Sequence, residues 1–224
     1  MQNPKELLVE GVDDLYAILQ LMGHHTEWPD DKRLAPVYIN QLGGAPNILQ
    51  ENGVPIRLTT AAITTLGVVL DADDDLDSKW KWLRAHCGNW NPAMGAQPPS
   101  AGFIGMNAVR GKKFGVWIMP DNVSRGMLET FLQFLVPANQ RDLWNYAKEA
   151  FAKAKKEKGA PCKDKHKDKA EIYTWLAWQE PPCNSLGNAL VQKMLDPHCE
   201  YVTPFVKWFL DLYELPRKEH VAQV

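Results

Sequence analysis

The chain has 224 residues, 25 basic and 27 acidic side chains, and a formal net charge of -2. With 45% hydrophobic residues this is ordinary globular composition, which excludes a disordered chain, a collagen and a coiled-coil rod. The length suits one domain with an appendage or two small domains, and it can bury a core without covalent staples.

Lys5 to Glu10 reads as a short buried strand, ended by Gly11. Asp13 and Asp14 open a helix over Leu15 to Met22, where carboxylates favour the helix dipole. Residues 23 to 35 read as a loop, and Pro36 to Asn40 as a second strand stopped by Gly43-Gly44. A short helix is expected around Ile48 to Asn52. Leu66 to Leu70 is a continuous apolar run, the mark of a strand covered on both faces. A helix from Leu76 to Ala85 and a loop over 86 to 100 follow. Gly102 to Met106 and Phe114 to Met119 are further strand candidates, and Arg125 to Val136 is an amphipathic helix closed by Pro137.

The alternation predicts an α/β fold with a parallel sheet of about four strands flanked by helices. After residue 140 only helices are expected: Asp142 to Lys158, Lys165 to Ala177, Asn188 to Leu195 and Pro204 to Leu212. The expected division is an α/β catalytic domain over 1-140 and a helical extension over 141-224.

No window has the roughly 18 to 20 apolar residues of a membrane span. Met1 to Glu10 carries charge and lacks the apolar stretch of a signal peptide. Cys87, Cys162, Cys183 and Cys199 form no C-x-x-C pair, so a reduced, cytoplasmic setting is expected.

Charge is segregated along the chain. Residues 148 to 169 hold nine lysines against Glu149, Glu157, Asp164 and Asp168, while Asp71, Asp73, Asp74, Asp75 and Asp77 fall within seven positions. In open α/β sheets ligands bind beyond the carboxyl ends of the strands. Here the first strand ends in Glu10-Gly11 and the third in Asp71-Ala-Asp73. If those strands are neighbours, the carboxylates converge. Like charges so placed need protons or cations, and hard oxygen ligands suit Mg²⁺ or Mn²⁺.

Other readings of the acidic run fit less well. A calcium loop starting at Asp71 would need Gly at the position of Leu76 and Glu at that of Trp82. A haloacid-dehalogenase-type phosphatase would use Asp71 as nucleophile and Asp73 as acid, but on the first strand. A response-regulator receiver would need paired acids directly after a strand, where Asp13 and Asp14 already lie on a helix. An acidic helix N-terminus that only solvates a turn needs fewer carboxylates than are present.

The pair Val9-Glu10-Gly11 and Asp71-x-Asp73-x-Asp75 resembles the Toprim domain of topoisomerases, bacterial primases, recombination-mediator proteins and overcoming-lysogenization-defect nucleases. Leu7 to Asp14 and the segment Tyr173 to Gln179 look most like a Toprim-related group of uncharacterised bacterial proteins. The resemblance covers about residues 5 to 135. It implies a Toprim-like, Rossmann-type sheet, with Glu10 as general acid/base or metal ligand, Asp71 and Asp73 as metal ligands and Asp75 as the more variable third acid. It also implies a second set of acids and a basic residue near the scissile phosphate. The candidates for the acids are Asp14, Asp121 and Glu129, and those for the basic residue are Lys169 and His166. No P-loop is present, so an ATPase, if needed, belongs to another chain.

Lys163, Lys165, Lys167 and Lys169 are candidates for a phosphate path, against the alternative of a solvated lysine helix. Lys163, His166 and Lys169 would share one side of a continuous helix. The chain has nine tryptophans. Trp80 and Trp90 are candidates for base stacking, whereas Trp175, Trp178 and Trp208 read as core. The apolar C-terminal helices either pack on the sheet or form a homodimer seam.

The function expected is Mg²⁺- or Mn²⁺-dependent processing of nucleic-acid phosphodiesters, most simply as a nuclease with a metal-activated water. The alternatives are a metal- or nucleotide-binding regulatory module without turnover, and a small-substrate phosphatase. A membrane partner is not expected.

Overall fold

The computed structural model describes residues 3-87, 93-107 and 111-218. Five strands form one sheet: β1 (Lys5–Val9), β2 (Tyr38–Gln41), β3 (Thr65–Asp71), β4 (Phe103–Asn107) and β5 (Lys112–Met119), in the order β2-β1-β3-β5-β4. β2, β1, β3 and β5 run parallel, and β4 pairs antiparallel with β5 at one edge. The fold is thus α/β with a mostly parallel, Rossmann-like sheet. It differs from the expected all-parallel sheet in β4. The physical reason is the connection: four residues separate β4 from β5, and a link so short can join only antiparallel neighbours.

The continuous apolar runs are explained by cover on both faces. Leu7, Val9, Val69, Trp117 and Met119 point into one buried cluster, and Leu8, Val68, Leu70, Val116 and Ile118 into the other. Successive side chains on a strand alternate between faces, so each strand feeds both layers. On the second face lie α2 (Ala45–Ile48), α3 (Val54–Thr59) and α4 (Leu76–Cys87). On the first lie α1 (Val12–Gly23), α5 (Leu128–Gln133), α6 (Arg141–Lys158), α7 (Lys167–Leu176), α8 (Leu186–Val191) and α9 (Thr203–Tyr213).

The C-terminal helices pack on the sheet. Phe205, Trp208, Phe209 and Tyr213 of α9 are buried against it. The Tyr213 hydroxyl donates to the Glu6 carbonyl at 2.8 Å, and Trp208 Nε1 donates to the Phe103 carbonyl at 3.0 Å. Gly67 leaves the room this needs, since a Cβ there would lie 2.3 Å from the Tyr213 hydroxyl and 2.8 Å from Leu7 Cδ1.

Between α6 and α7 the chain makes a 3-10 turn over Asp164–His166. Lys163 and Lys169 therefore do not share one face of a continuous α-helix, as their spacing suggested. No helix among the described residues is long and apolar enough to cross a membrane.

Candidate functional site

Glu10 follows β1, and Asp71 ends the adjacent strand β3. Because the strands are parallel neighbours, both acids reach the same edge. The Glu10 carboxylate joins three segments there. Its Oε1 accepts from the Asp71 N–H at 2.9 Å, and its Oε2 accepts from the Ala45 N–H at 3.0 Å, at the start of α2. Asp71 Oδ1 accepts from the Leu128 N–H at 2.8 Å, at the start of α5.

Two further acids complete a cluster. Asp14, on the first turn of α1, is 7% exposed, and its Oδ2 accepts from the Gly11 N–H at 3.0 Å. Glu129, on the first turn of α5, is 5% exposed. Burial pushes the Asp71 carboxyl up to about 9, and repulsion from Asp14, Glu10 and Glu129 adds to it. Burial likewise lifts Asp14 to about 7, with Glu10 and then Glu129 contributing. Four carboxylates from β1, α1, β3 and α5 thus feel one another in a poorly solvated place, where only protons or cations relieve the repulsion.

Two lysines flank them. Lys169 of α7 places Nζ 3.2 Å from Glu129 Oε1 and 3.1 Å from Asp13 Oδ2. Burial works against its ammonium, but Glu129 and Asp13 outweigh burial and hold its pKa above the ordinary lysine value. Thr130 donates to Asp168 at 2.5 Å and fixes α7 against α5. On the other side Lys79 of α4 donates to Asp73 Oδ2 and to the Asp71 carbonyl. Asp73 sits in a left-handed conformation (φ 49) in a β-bridge with Gly126. Its N–H donates to the Gly126 carbonyl at 2.7 Å. Gly126 has φ 136, and a Cβ there would lie 2.6 Å from Thr130 Oγ1, so glycine is needed for the bridge to close.

Glu10, Asp71, Asp73, Glu129 and Lys169 are therefore brought to one edge. Asp75 is exposed, and its Oδ1 accepts from the Ser78 N–H at 3.0 Å at the start of α4, so it serves as a helix cap. Asp121 accepts from the Val123 and Ser124 N–H groups and holds its own turn. His166 is exposed on the 3-10 turn before α7. Lys163, Lys165 and Lys167 are exposed on the same segment, and Lys167 pairs with Glu171 at 2.9 Å. Trp80 is buried with Nε1 donating to the Gly95 carbonyl at 3.2 Å, which leaves its face to the core. Trp178 is 42% exposed and lies against Tyr146, where the sequence suggested core. Trp90 lies outside the described residues.

Asp14 and Lys79 carry more of this geometry than their sequence context announced. Asp14 is one helical turn beyond Glu10, a spacing that returns its carboxylate to the strand end. Lys79 gives no signal without the packing of α4.

The donor set is all oxygen and mostly carboxylate, which matches the preference of Mg²⁺ or Mn²⁺. The burial of Asp14 and Asp71 beside other acids calls for compensation by protons or by a cation. Among the described residues no three Asp, Glu, His or Cys side chains already stand in metal-ligand geometry. Several of the oxygens are instead held by backbone N–H groups and by the two lysines.

The family model described as "Protein of unknown function (DUF3226)" matches residues 4–214. The chain belongs to the DUF3226 family. The match spans both the sheet and the C-terminal helices, so the lysine of α7 and the acids of the sheet edge lie within one family unit. No curated protein matches the chain, and no solved structure does.

Proposed function

We propose that this DUF3226 protein is a divalent-metal-dependent phosphodiesterase acting on nucleic acid, a nuclease of Toprim type. One observation carries the reading: Glu10, Asp14, Asp71 and Glu129 gather at the carboxyl edge of a parallel sheet, with Lys169 Nζ 3.2 Å from Glu129. Burying acids side by side costs free energy unless protons or cations compensate them.

Glu10, Asp14, Asp71 and Glu129 would hold Mg²⁺ or Mn²⁺. Such an ion supplies Lewis-acid stabilisation of charge developing on a phosphoryl group. The residues do the rest. The Leu128 and Ala45 N–H groups orient Asp71 and Glu10. Glu129 and Asp13 hold the Lys169 ammonium at the rim, ready to meet charge on a pentacovalent phosphate. Lys163, Lys165 and Lys167 lead away from it on the same segment and offer contacts to the nucleic-acid backbone.

A regulatory module that binds metal without turnover is the second reading, favoured by the engagement of Asp73 with Lys79. The two readings separate in one assay. Supercoiled plasmid and single-stranded DNA and RNA are incubated with Mn²⁺ or Mg²⁺, with wild type and Asp71→Ala compared. Metal-dependent cleavage that disappears in Asp71→Ala is expected. Metal binding without cleavage of any of these substrates supports the module, and cleavage that survives Asp71→Ala overturns the site.

A further inference from the structure

β2 is an edge of the sheet, with β1 as its neighbour. The Leu42 N–H donates to the Val9 carbonyl at 3.1 Å, so in this register the backbone groups of Asn40 also turn inward to β1. Backbone direction alternates along a strand. The N–H and C=O of Ile39 and Gln41 therefore point away from the sheet, and among the described residues no hydrogen bond engages them. Natural proteins close such edges with charges, prolines or bulges, because an open edge is a template for another strand. Tyr38-Ile39-Asn40-Gln41 carries none of these.

Beside that edge lies a groove of about 860 Å³ between β2 and α1. Leu15, Leu19 and Ile39 line it, and Trp28 and Pro29 wall it from the loop before β2. Tyr16, Tyr38 and Val191 also line it, and they are 46%, 50% and 51% exposed. Large apolar side chains left this open around one concavity mark a contact surface. Asp30 adds a charge to the lining. The neighbouring acids Glu27 and Asp31 pair with Lys218 and Arg33, whereas exposed Asp30 has no ion-pair partner among the described residues.

A second copy joined edge to edge would leave the groove empty. Its own β2 segment would offer Val37 and Ile39, which are 1% and 7% exposed and already buried in its own core. A single extended segment fills the groove. Its backbone meets the outward groups of Ile39 and Gln41, and every second side chain, roughly 7 Å apart, enters the apolar concavity. We infer that β2 and α1 form a peptide-binding groove, which takes an extended segment of a partner protein as an added strand. That segment carries apolar residues at alternate positions and a lysine or arginine beside Asp30. The groove stands or falls independently of the metal-centre reading above.

The probe is a fluorescein-labelled heptapeptide, Lys-Val-Thr-Val-Thr-Val-Lys, titrated into the full chain and followed by fluorescence polarisation. Saturable binding is expected, with slowed amide exchange at Ile39 and Gln41. Two further peptides are N-methylated, one at its valines and one at its threonines. Only alternate N–H groups can face β2, so one of the two should bind at least about tenfold more weakly than the other. On the protein side Val191→Asp and Asp30→Lys replace exposed side chains outside the core. The first should weaken binding about tenfold, by placing a charge in the apolar lining, and the second about threefold, the scale of an exposed ion pair. No binding at millimolar probe, equal affinity of the two methylated peptides, or unchanged binding by Val191→Asp would overturn the groove. Unchanged binding by Asp30→Lys would overturn the place of the basic residue. A concentration-dependent dimer that itself slows exchange at Ile39 and Gln41 would give the edge to a second copy and overturn the peptide.

Discussion

The Glu10 carboxylate accepts the backbone N–H of Asp71 at 2.9 Å. Two acids separated by 61 positions are thereby locked at adjacent strand ends, and the hydrogen bond leaves the Asp71 side chain to face Asp14 and Glu129. The arrangement holds repulsion where a cation would relieve it.

Burial, with repulsion from Asp14, Glu10 and Glu129 added to it, makes Asp71 a residue that costs stability above its ordinary pKa. Its pKa is raised to about 9 in the fold against an ordinary value of 3.8. Asp71→Asn keeps an acceptor for the Leu128 N–H and stays neutral without holding the proton that the unfolded wild-type chain would release. At pH 8 without divalent ions it should be more stable than wild type by roughly 1–3 kcal/mol, the ordinary range of single-site effects. It should also lack the metal-dependent activity. Chemical denaturation of the two proteins in EDTA checks the first part.

The sign of the pH dependence follows. A carboxyl raised in the fold keeps a proton that the unfolded chain releases, so stability falls as pH rises from the unfolded value toward the folded one. For Asp14 and Asp71 those windows run from 3.8 to about 7 and about 9. His25 acts oppositely. Burial, partly offset by its hydrogen bond to the Pro197 carbonyl, lowers it to about 4, so its contribution grows from pH 4 to 6.5 and is then constant. Between pH 6.5 and 9 the carboxylates act without it. Melting temperatures in EDTA should decline over that interval, and saturating Mn²⁺ should flatten the decline.

Lys169→Met should reduce cleavage about 10²–10³-fold, the scale of removing one charge-stabilising group from an active site. Mn²⁺ affinity should not weaken, since a positive charge has been removed from the rim. Steady-state cleavage with a parallel metal titration separates the two effects.

Salt should report on the basic segment. Replacing Lys163, Lys165 and Lys167 with Gln is expected to make the slope of log affinity against log salt shallower. On single strands the change is about 0.7 for each phosphate that the segment no longer neutralises. Binding in Ca²⁺ over a salt series measures it, and an unchanged slope would place the nucleic-acid path elsewhere.

Much of this architecture is readable in the chain. β1 and β3 announce themselves as apolar runs because both of their faces are covered, and their acidic ends identify the working edge. The direction of β4 is not carried by its hydrophobic pattern, which is the same in either sense. Only the four-residue link to β5 reveals it. Asp75 has the spacing of a ligand, yet the helix it precedes takes its carboxylate as a cap. Asp14 looks like an ordinary acidic helix start until β1 and α1 are placed against β3. Lys79 and Lys169 reach the acids only through the packing of α4 and α7, a long-range property that local spacing does not encode.

The most direct measurement of the cation centre is the anomalous signal of a crystal soaked in Mn²⁺. An ion bonded to Asp71 among Glu10, Asp14 and Glu129 is expected. A site without ion at saturating Mn²⁺, or an ion bound away from Asp71, would contradict a metal centre at this edge.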